Sequence, residues 1–409
     1  MPDKVRIGFV GAGFMGQLAH IRSYACLQDE CELVALAEPR PRTAELVAAR
    51  YGIGRAYADH RELLESETLD AIAAVQRYTY HSALLPELYP AVPFLFTEKP
   101  LAAYAAEGDR LASLAREAGC VHMLGYHRRS DPATRAAKQT VDAWKSDGKL
   151  GELRYVRLCY AAGDWIANAH RALIDVGEDS PDVTVEEPPP DVDADDEASW
   201  ALVNGADKLV HPLNLLRHFL GERYRLVFAH VTGRLLAFES ESGVPATIEV
   251  TPYRVSSGFE EEVLVAFERG YVQLRPAPAL AVNRAGTLEI YRDPGAGHTP
   301  QRSSPQLRAI DPMLAQAQDF LRVCRGDAAP LTDVSEAAED LHIVSEIVRA
   351  RLELADAREA IRAERSEQAR DWEERLSAIE ASGPYASAGS GSSTALRATS
   401  DSPVTGSKK

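Results

Sequence analysis

The sequence predicts an α/β protein with two sheets. The first is a parallel, doubly wound sheet over residues 1–125. An α+β domain with an open, mainly antiparallel sheet follows over 126–354. Three observations lead there. Strand-like and helix-like stretches alternate through the first 125 residues, a glycine-rich turn closes the first strand, and beyond residue 150 the pattern changes to long β-rich runs with few helices. At about 150 residues per domain, a chain of 409 residues has room for two or three domains and a large core.

Residues 5–10 (VRIGFV) form a short apolar strand ending at Gly11-Ala12-Gly13-Phe14-Met15-Gly16, and a helix follows that turn. A second strand at 31–38 ends in an acid, and the helix after it stops at Gly52. Strands at 70–75, 94–97 and 121–125 alternate with helices near 81–89 and over 104–118. A helix over 131–146 leads to the second sheet, with β-rich runs at 153–160, 225–238, 245–253, 261–267 and 271–275 and helices at 208–220 and 311–325. From Val334 a charged helix runs to about Ile379. Its heptad seam of Ile347, Leu354 and Ile361 ends at Gln368, so it supports a short two-helix contact only. A Ser/Gly-rich tail completes an extension over 355–409.

The formal net charge is −16, and much of it lies in one place: residues 175–197 hold eleven acids, no base and a Pro188-Pro189-Pro190 run. Such a segment cannot be helical across the prolines and reads as an extended, solvated insertion, or as a flap that disfavours anionic substrates. No basic face suits a phosphate backbone, so nucleic acid is not an expected partner. No apolar run is long enough to span a membrane. The N-terminus has a glycine turn where a signal peptide needs apolar residues, and five scattered cysteines without a CxxC suggest reduced thiols. Together these predict a cytoplasmic protein without a cysteine-bound metal.

Gly11-x-Gly13-x-x-Gly16 follows a strand, opens a helix, and has Glu38 at the end of the next strand. That context is what a dinucleotide fingerprint needs. Gly11 allows the tight turn, Gly13 the close approach of a pyrophosphate, and Gly16 close packing of helix on strand. Phe14 and Met15 complete the phosphate-facing turn. Glu38 favours the free ribose hydroxyls of NAD, whereas Arg40 and Arg42 would suit the 2′-phosphate of NADP; NAD is the preferred cofactor. Glu98-Lys99-Pro100 ends a strand on the ligand side of the sheet, where a lysine can stabilise an oxyanion. Asp207 and His211, four apart, share a face if that stretch is helical, and the acid can then orient an imidazole that accepts a proton.

The GAGFMG turn, Glu98-Lys99-Pro100, the stretch GYHRRSDPATRAAK (125–138) and the Asp207-x-x-x-His211 pair together resemble the Gfo/Idh/MocA oxidoreductases over about residues 4–350. The resemblance implies a Rossmann domain, a C-terminal domain whose open sheet joins copies into a homo-oligomer, and NAD(P)-dependent hydride transfer at a carbinol carbon of a sugar, cyclitol or derivative. It also admits a redox-neutral glycosidase use of NAD and a non-catalytic cofactor sensor. By position it makes His211 the base, Lys99 the group that positions the hydroxyl, and Asp207 the charge support, with His81 and Glu98 beside the cofactor. Substrate-side candidates are Tyr126, Arg128, Trp165, Asn168 and Asn214. The chain departs from the family pattern at Gln76-Arg77, Leu209 and Asn214.

Overall fold

The computed structural model describes residues 4–167, 169–179 and 197–382. The N-terminal part runs β1 (Val5–Val10), a π-helical turn (Gly16–Ile21) continuing into α1 (Arg22–Ala25), β2 (Cys31–Ala37), α2 (Pro41–Tyr51), β3 (Arg55–Tyr57), α3 (His60–Ser66), β4 (Ala71–Ala74), α4 (His81–Leu88), β5 (Phe94–Thr97), α5 (Ala105–Ala118) and β6 (Val121–Leu124). The strands pair in parallel in the order β3-β2-β1-β4-β5-β6, so the winding reverses between β1 and β4. Open α/β sheets place their ligands beyond the carboxyl ends of the strands at such a reversal. Helices cover both faces, which is why the strands are nearly all apolar: Ile7, Phe9, Leu36, Ile72, Leu95 and Phe96 are wholly buried. Gly52 ends α2 in the left-handed conformation that its reading as a helix stop anticipates, and Gly119 ends α5 in the same way.

The second part comprises α6 (Pro132–Asp147), β7 (Leu153–Gly163), α7 (Glu197–Leu220), β8 (Tyr224–Ala229), β9 (Leu235–Ser240), β10 (Pro245–Val250), β11 (Phe259–Phe267), β12 (Gly270–Arg275), β13 (Thr287–Arg292), β14 (Gln301–Ser303), α8 (Pro312–Cys324) and α9 (Val334–Ser382). Its sheet has the order β14-β13-β12-β11-β7-β10-β9-β8 and is antiparallel except where β10 pairs with β7. The β-rich run at 225–238 is two strands, β8 and β9, turning at Gly233 with φ +67°. α6 lies on one face, with Trp144 edge-on to Phe267 at 5.3 Å. Asp131 starts α6 by accepting from Ala133 N at 2.8 Å, and it also accepts from the Ala277 and Gly286 amides, so one buried carboxylate ties the helix to the strand connections.

The internal contacts of the chain separate Met1–Leu354 from Ala355–Lys409. Within the first unit the two sheets share a core, because α8 returns from the second half to the first sheet and sets Phe320 against Phe96, 5.6 Å between ring centres. Of the acidic segment 175–197, residues 180–196 lie outside the described residues. All five cysteines are free thiols, and among the described residues no helix is long and apolar enough to cross a membrane.

Candidate active site

The carboxyl ends of β1, β4 and β5 gather the first half of the site. Gly11 has φ +93°, and a Cβ there would stand 3.1 Å from Gln76 Nε2, so the tight turn requires glycine. A Cβ on Gly13 would meet nothing within 4 Å, whereas one on Gly16 would sit 2.9 Å from the Gly11 carbonyl oxygen. The backbone is therefore open to a ligand at Gly13 and closed against the strand at Gly16. Beside it, the Gln76 side-chain oxygen is buried without a hydrogen-bond partner. These features fit a dinucleotide: a helix N-terminus and open backbone for the pyrophosphate, with an unsatisfied amide oxygen nearby. Phe14 and Met15 pack against the buried cluster of Leu18, Ala19, Ala279, Leu280 and Met313, as Ile166, Ala169 and Leu173 do, and Phe14 is edge-on to Trp165 at 6.0 Å. Trp165 thus lies across the glycine turn, with 38% of its surface exposed.

Glu38 is nearly buried at the end of β2. It accepts from Ala12 N at 2.8 Å and from Arg40 Nε at 2.7 Å, which places a carboxylate where the ribose of an adenosine would be held. Arg40 is drawn back onto that carboxylate, and its pKa is raised chiefly by this hydrogen bond.

Lys99 leaves the end of β5 through a cis peptide to Pro100. Its Nζ donates to Asp207 Oδ1 at 2.9 Å and to the Asp207 carbonyl at 3.2 Å. Asp207 therefore holds the lysine; it does not hold His211, as the four-residue spacing suggests. One turn along α7, His211 keeps its Nδ1 without a partner. Burial, with the charges of Arg128, Lys99 and His127, pushes its pKa well below the usual imidazole value. Two aromatic neighbours enclose the ring: His127, 4.9 Å between centres, and Tyr126 at 5.9 Å.

Several candidates support the site from behind. Glu98 binds His20 at 2.6 Å and accepts from its neighbour's amide, Lys99 N, at 3.2 Å, so it braces the turn that presents the lysine. His81 has no exposed surface: its Nδ1 lies 2.9 Å from the Leu101 carbonyl, and burial lowers its pKa to about 4. It packs beside Lys99-Pro100-Leu101, and its Nε2 is buried without a partner. Asn214 is turned away from the cleft. Its Nδ2 donates to Asp340 at 2.9 Å and its Oδ1 accepts from Thr332, which fastens α7 to the start of α9. Arg128 is buried and paired with Glu261, Nε to Oε2 at 2.7 Å, under the Tyr160 ring at 5.2 Å, and its NH1 is buried without a partner. Asn168 lies outside the described residues.

Four contributors escape sequence reasoning. His127 sits between the candidates Tyr126 and Arg128, and that neighbourhood was its only signal. Glu261 and Glu178 lie 133 and 136 residues from the groups they meet, so no local pattern reveals them. His20 is concealed by the π-helical geometry of its turn.

Residues 5–126 match the Gfo/Idh/MocA model, described as an oxidoreductase family with an NAD-binding Rossmann fold. The myo-inositol 2-dehydrogenase of Thermotoga maritima is 25% identical over 229 residues, 55% of this chain and 58% of that protein, so the match spans a little over half the length of this relative. The inositol 2-dehydrogenase of Burkholderia cenocepacia is 25% identical over 310 residues, 71% of this chain and 80% of that one. Among solved structures, levoglucosan dehydrogenase in complex with NADH superposes with a TM-score of 0.66 at 16% identity, covering 86% of this chain and 98% of that one; this likeness concerns the fold.

Proposed function

Since residues 5–126 belong to the Gfo/Idh/MocA oxidoreductase family, we propose that the chain is an NAD-dependent dehydrogenase acting on a CH–OH group of a sugar or cyclitol. The observation that carries this reading is Lys99, at the end of β5, bound to Asp207 on α7 one turn from His211, whose Nδ1 is unpaired and which feels the lysine's charge. Two of the three ammonium protons of Lys99 go to Asp207, and the third is left for a substrate oxygen. Asp207 fixes the direction of that third donor. His211, held neutral by burial and by the Arg128 and Lys99 charges, accepts the hydroxyl proton on its imidazole while Lys99 stabilises the developing alkoxide. A bound dinucleotide supplies the hydride acceptor. Inositol and levoglucosan dehydrogenases among the similar proteins support a neutral polyol as substrate. The half-buried sheet face bearing Tyr155, Arg157, Tyr271 and Tyr291 supports a homo-oligomer, and the free thiols support a cytoplasmic setting.

The test is a 340 nm assay with NAD against inositols, anhydrosugars and aldoses. Reduction with at least one polyol, lost on replacing Lys99 or His211, is the expected result. Binding of NAD with no absorbance change on any CH–OH substrate overturns the proposal.

A further inference from the structure

We infer that Glu178 discriminates against 2′-phosphorylated dinucleotides by seating its own carboxylate in the anion site that such a phosphate would need. The inference rests on the proposed dinucleotide-dependent activity and goes beyond it, because it assigns cofactor choice partly to the C-terminal half of the chain.

Glu38 marks the place of the adenosine ribose. A 2′-phosphate attached there needs cationic or N–H partners close to Glu38, and the chain offers two. One is the Arg40 guanidinium. The other is the first turn of α2, an 11-residue helix whose N-terminus begins immediately after Arg40. Both are already engaged. Arg40 is bound to Glu38 through Nε at 2.7 Å and NH2 at 3.0 Å. The first turn of α2 is capped by Glu178: Arg42 N donates to Oε1 at 3.0 Å, Thr43 N to Oε2 at 2.8 Å, and the Thr43 hydroxyl to Oε2 at 2.9 Å. A carboxylate with three donors on it is an internal anion occupying this helix end.

Its position is not left to a free loop. Four residues earlier, the backbone of Ile174 is clasped by the Gln17 side chain in both directions, Ile174 N to Oε1 at 2.9 Å and Nε2 to Ile174 O at 3.1 Å. Arg50 of α2 donates to the Ala172 carbonyl, and Leu173 joins the apolar cluster with Phe14 and Met15. Residues 172–178 are thus laid along the cofactor turn and deliver Glu178 to α2. The charges agree: Glu38, Glu178 and Asp175 all act on Arg40, so a phosphate carrying nearly two negative charges would enter among three carboxylates. An unmodified ribose brings no such charge and asks only for Glu38.

The experiment measures Kd for NAD and NADP by calorimetry on the full chain, unaltered and as Glu178→Gln, Glu178→Lys and the charge control Asp179→Asn, with melting temperatures to establish that each is folded. The expected result is that the unaltered chain prefers NAD, and that the Kd ratio of NADP to NAD falls by at least about tenfold in Glu178→Gln and further in Glu178→Lys, with little change in Asp179→Asn. An unchanged ratio in both Glu178 variants, or an equal fall in Asp179→Asn, overturns the inference. So does an unaltered chain that binds NADP as tightly as NAD, although the dinucleotide reading then stands. An unaltered chain that binds neither overturns both.

Discussion

Replacing Glu261 by glutamine isolates the charge that lies behind the reacting groups. Glu261 and Arg128 have side chains 1% and 7% exposed and meet at 2.7 Å, with Tyr160 stacked over the guanidinium. The substitution keeps the shape and an acceptor but leaves the guanidinium charge uncompensated away from water. Removing one partner of a buried pair costs about 3–5 kcal/mol. The same change at Glu239, whose pair with Arg225 is 41% and 69% exposed, costs about 0–1 kcal/mol. Urea unfolding followed by circular dichroism should therefore show a large midpoint loss for Glu261→Gln and almost none for Glu239→Gln. The difference should persist in high salt, because buried charges are screened little. A joint Arg128→Met, Glu261→Met chain should recover most of the loss, since it removes both charges. Equal midpoints for Glu261→Gln and Glu239→Gln would refute the claim that this pair is a desolvated one.

The site itself yields three further expectations. Lys99→Ala should lower turnover at least about tenfold while cofactor affinity, read by fluorescence titration, is largely kept. His211 has a depressed pKa, so its imidazole is neutral and ready as a base at any pH above that lowered value; kcat/KM should fall only on acidification below 6.5, and a His211-dependent limb at or above 6.5 would contradict this. Asn214→Ala should destabilise the fold by about 1–3 kcal/mol, because Asp340 and Thr332 lose their buried partner, with little effect on KM; a large KM change would return Asn214 to the substrate.

The parallel sheet was legible because its strands, covered on both faces, must be apolar, and because Gly52 announces the end of α2. β3 and α3 were not, because a three-residue strand with two exposed positions carries no periodic signal. The glycine turn, Glu38 and Lys99 could be read because each belongs to a contiguous motif whose spacing the chemistry imposes. The partnership of Asp207 could not. Spacing along a helix says which residues share a face, but Lys99, 108 positions away, competes for the carboxylate and takes it. The internal partners of Asn214 and His81 were hidden for a related reason: each has a polar group answered from a distant segment, by Asp340 and by the Leu101 carbonyl.

The π-helical turn at Gly16–Ile21 makes the length of the chain itself a working variable. Such a turn holds more residues than the α-turn it replaces, and each residue steps about 100° around an α-helix. Removing Ala19 alone would let the segment relax to an α-helix and swing the downstream residues through roughly that angle. His20 would leave Glu98, and the strut beneath Lys99 would go with it, although no residue that touches a ligand had been changed. A survey of point substitutions would never detect this dependence; a single deletion would.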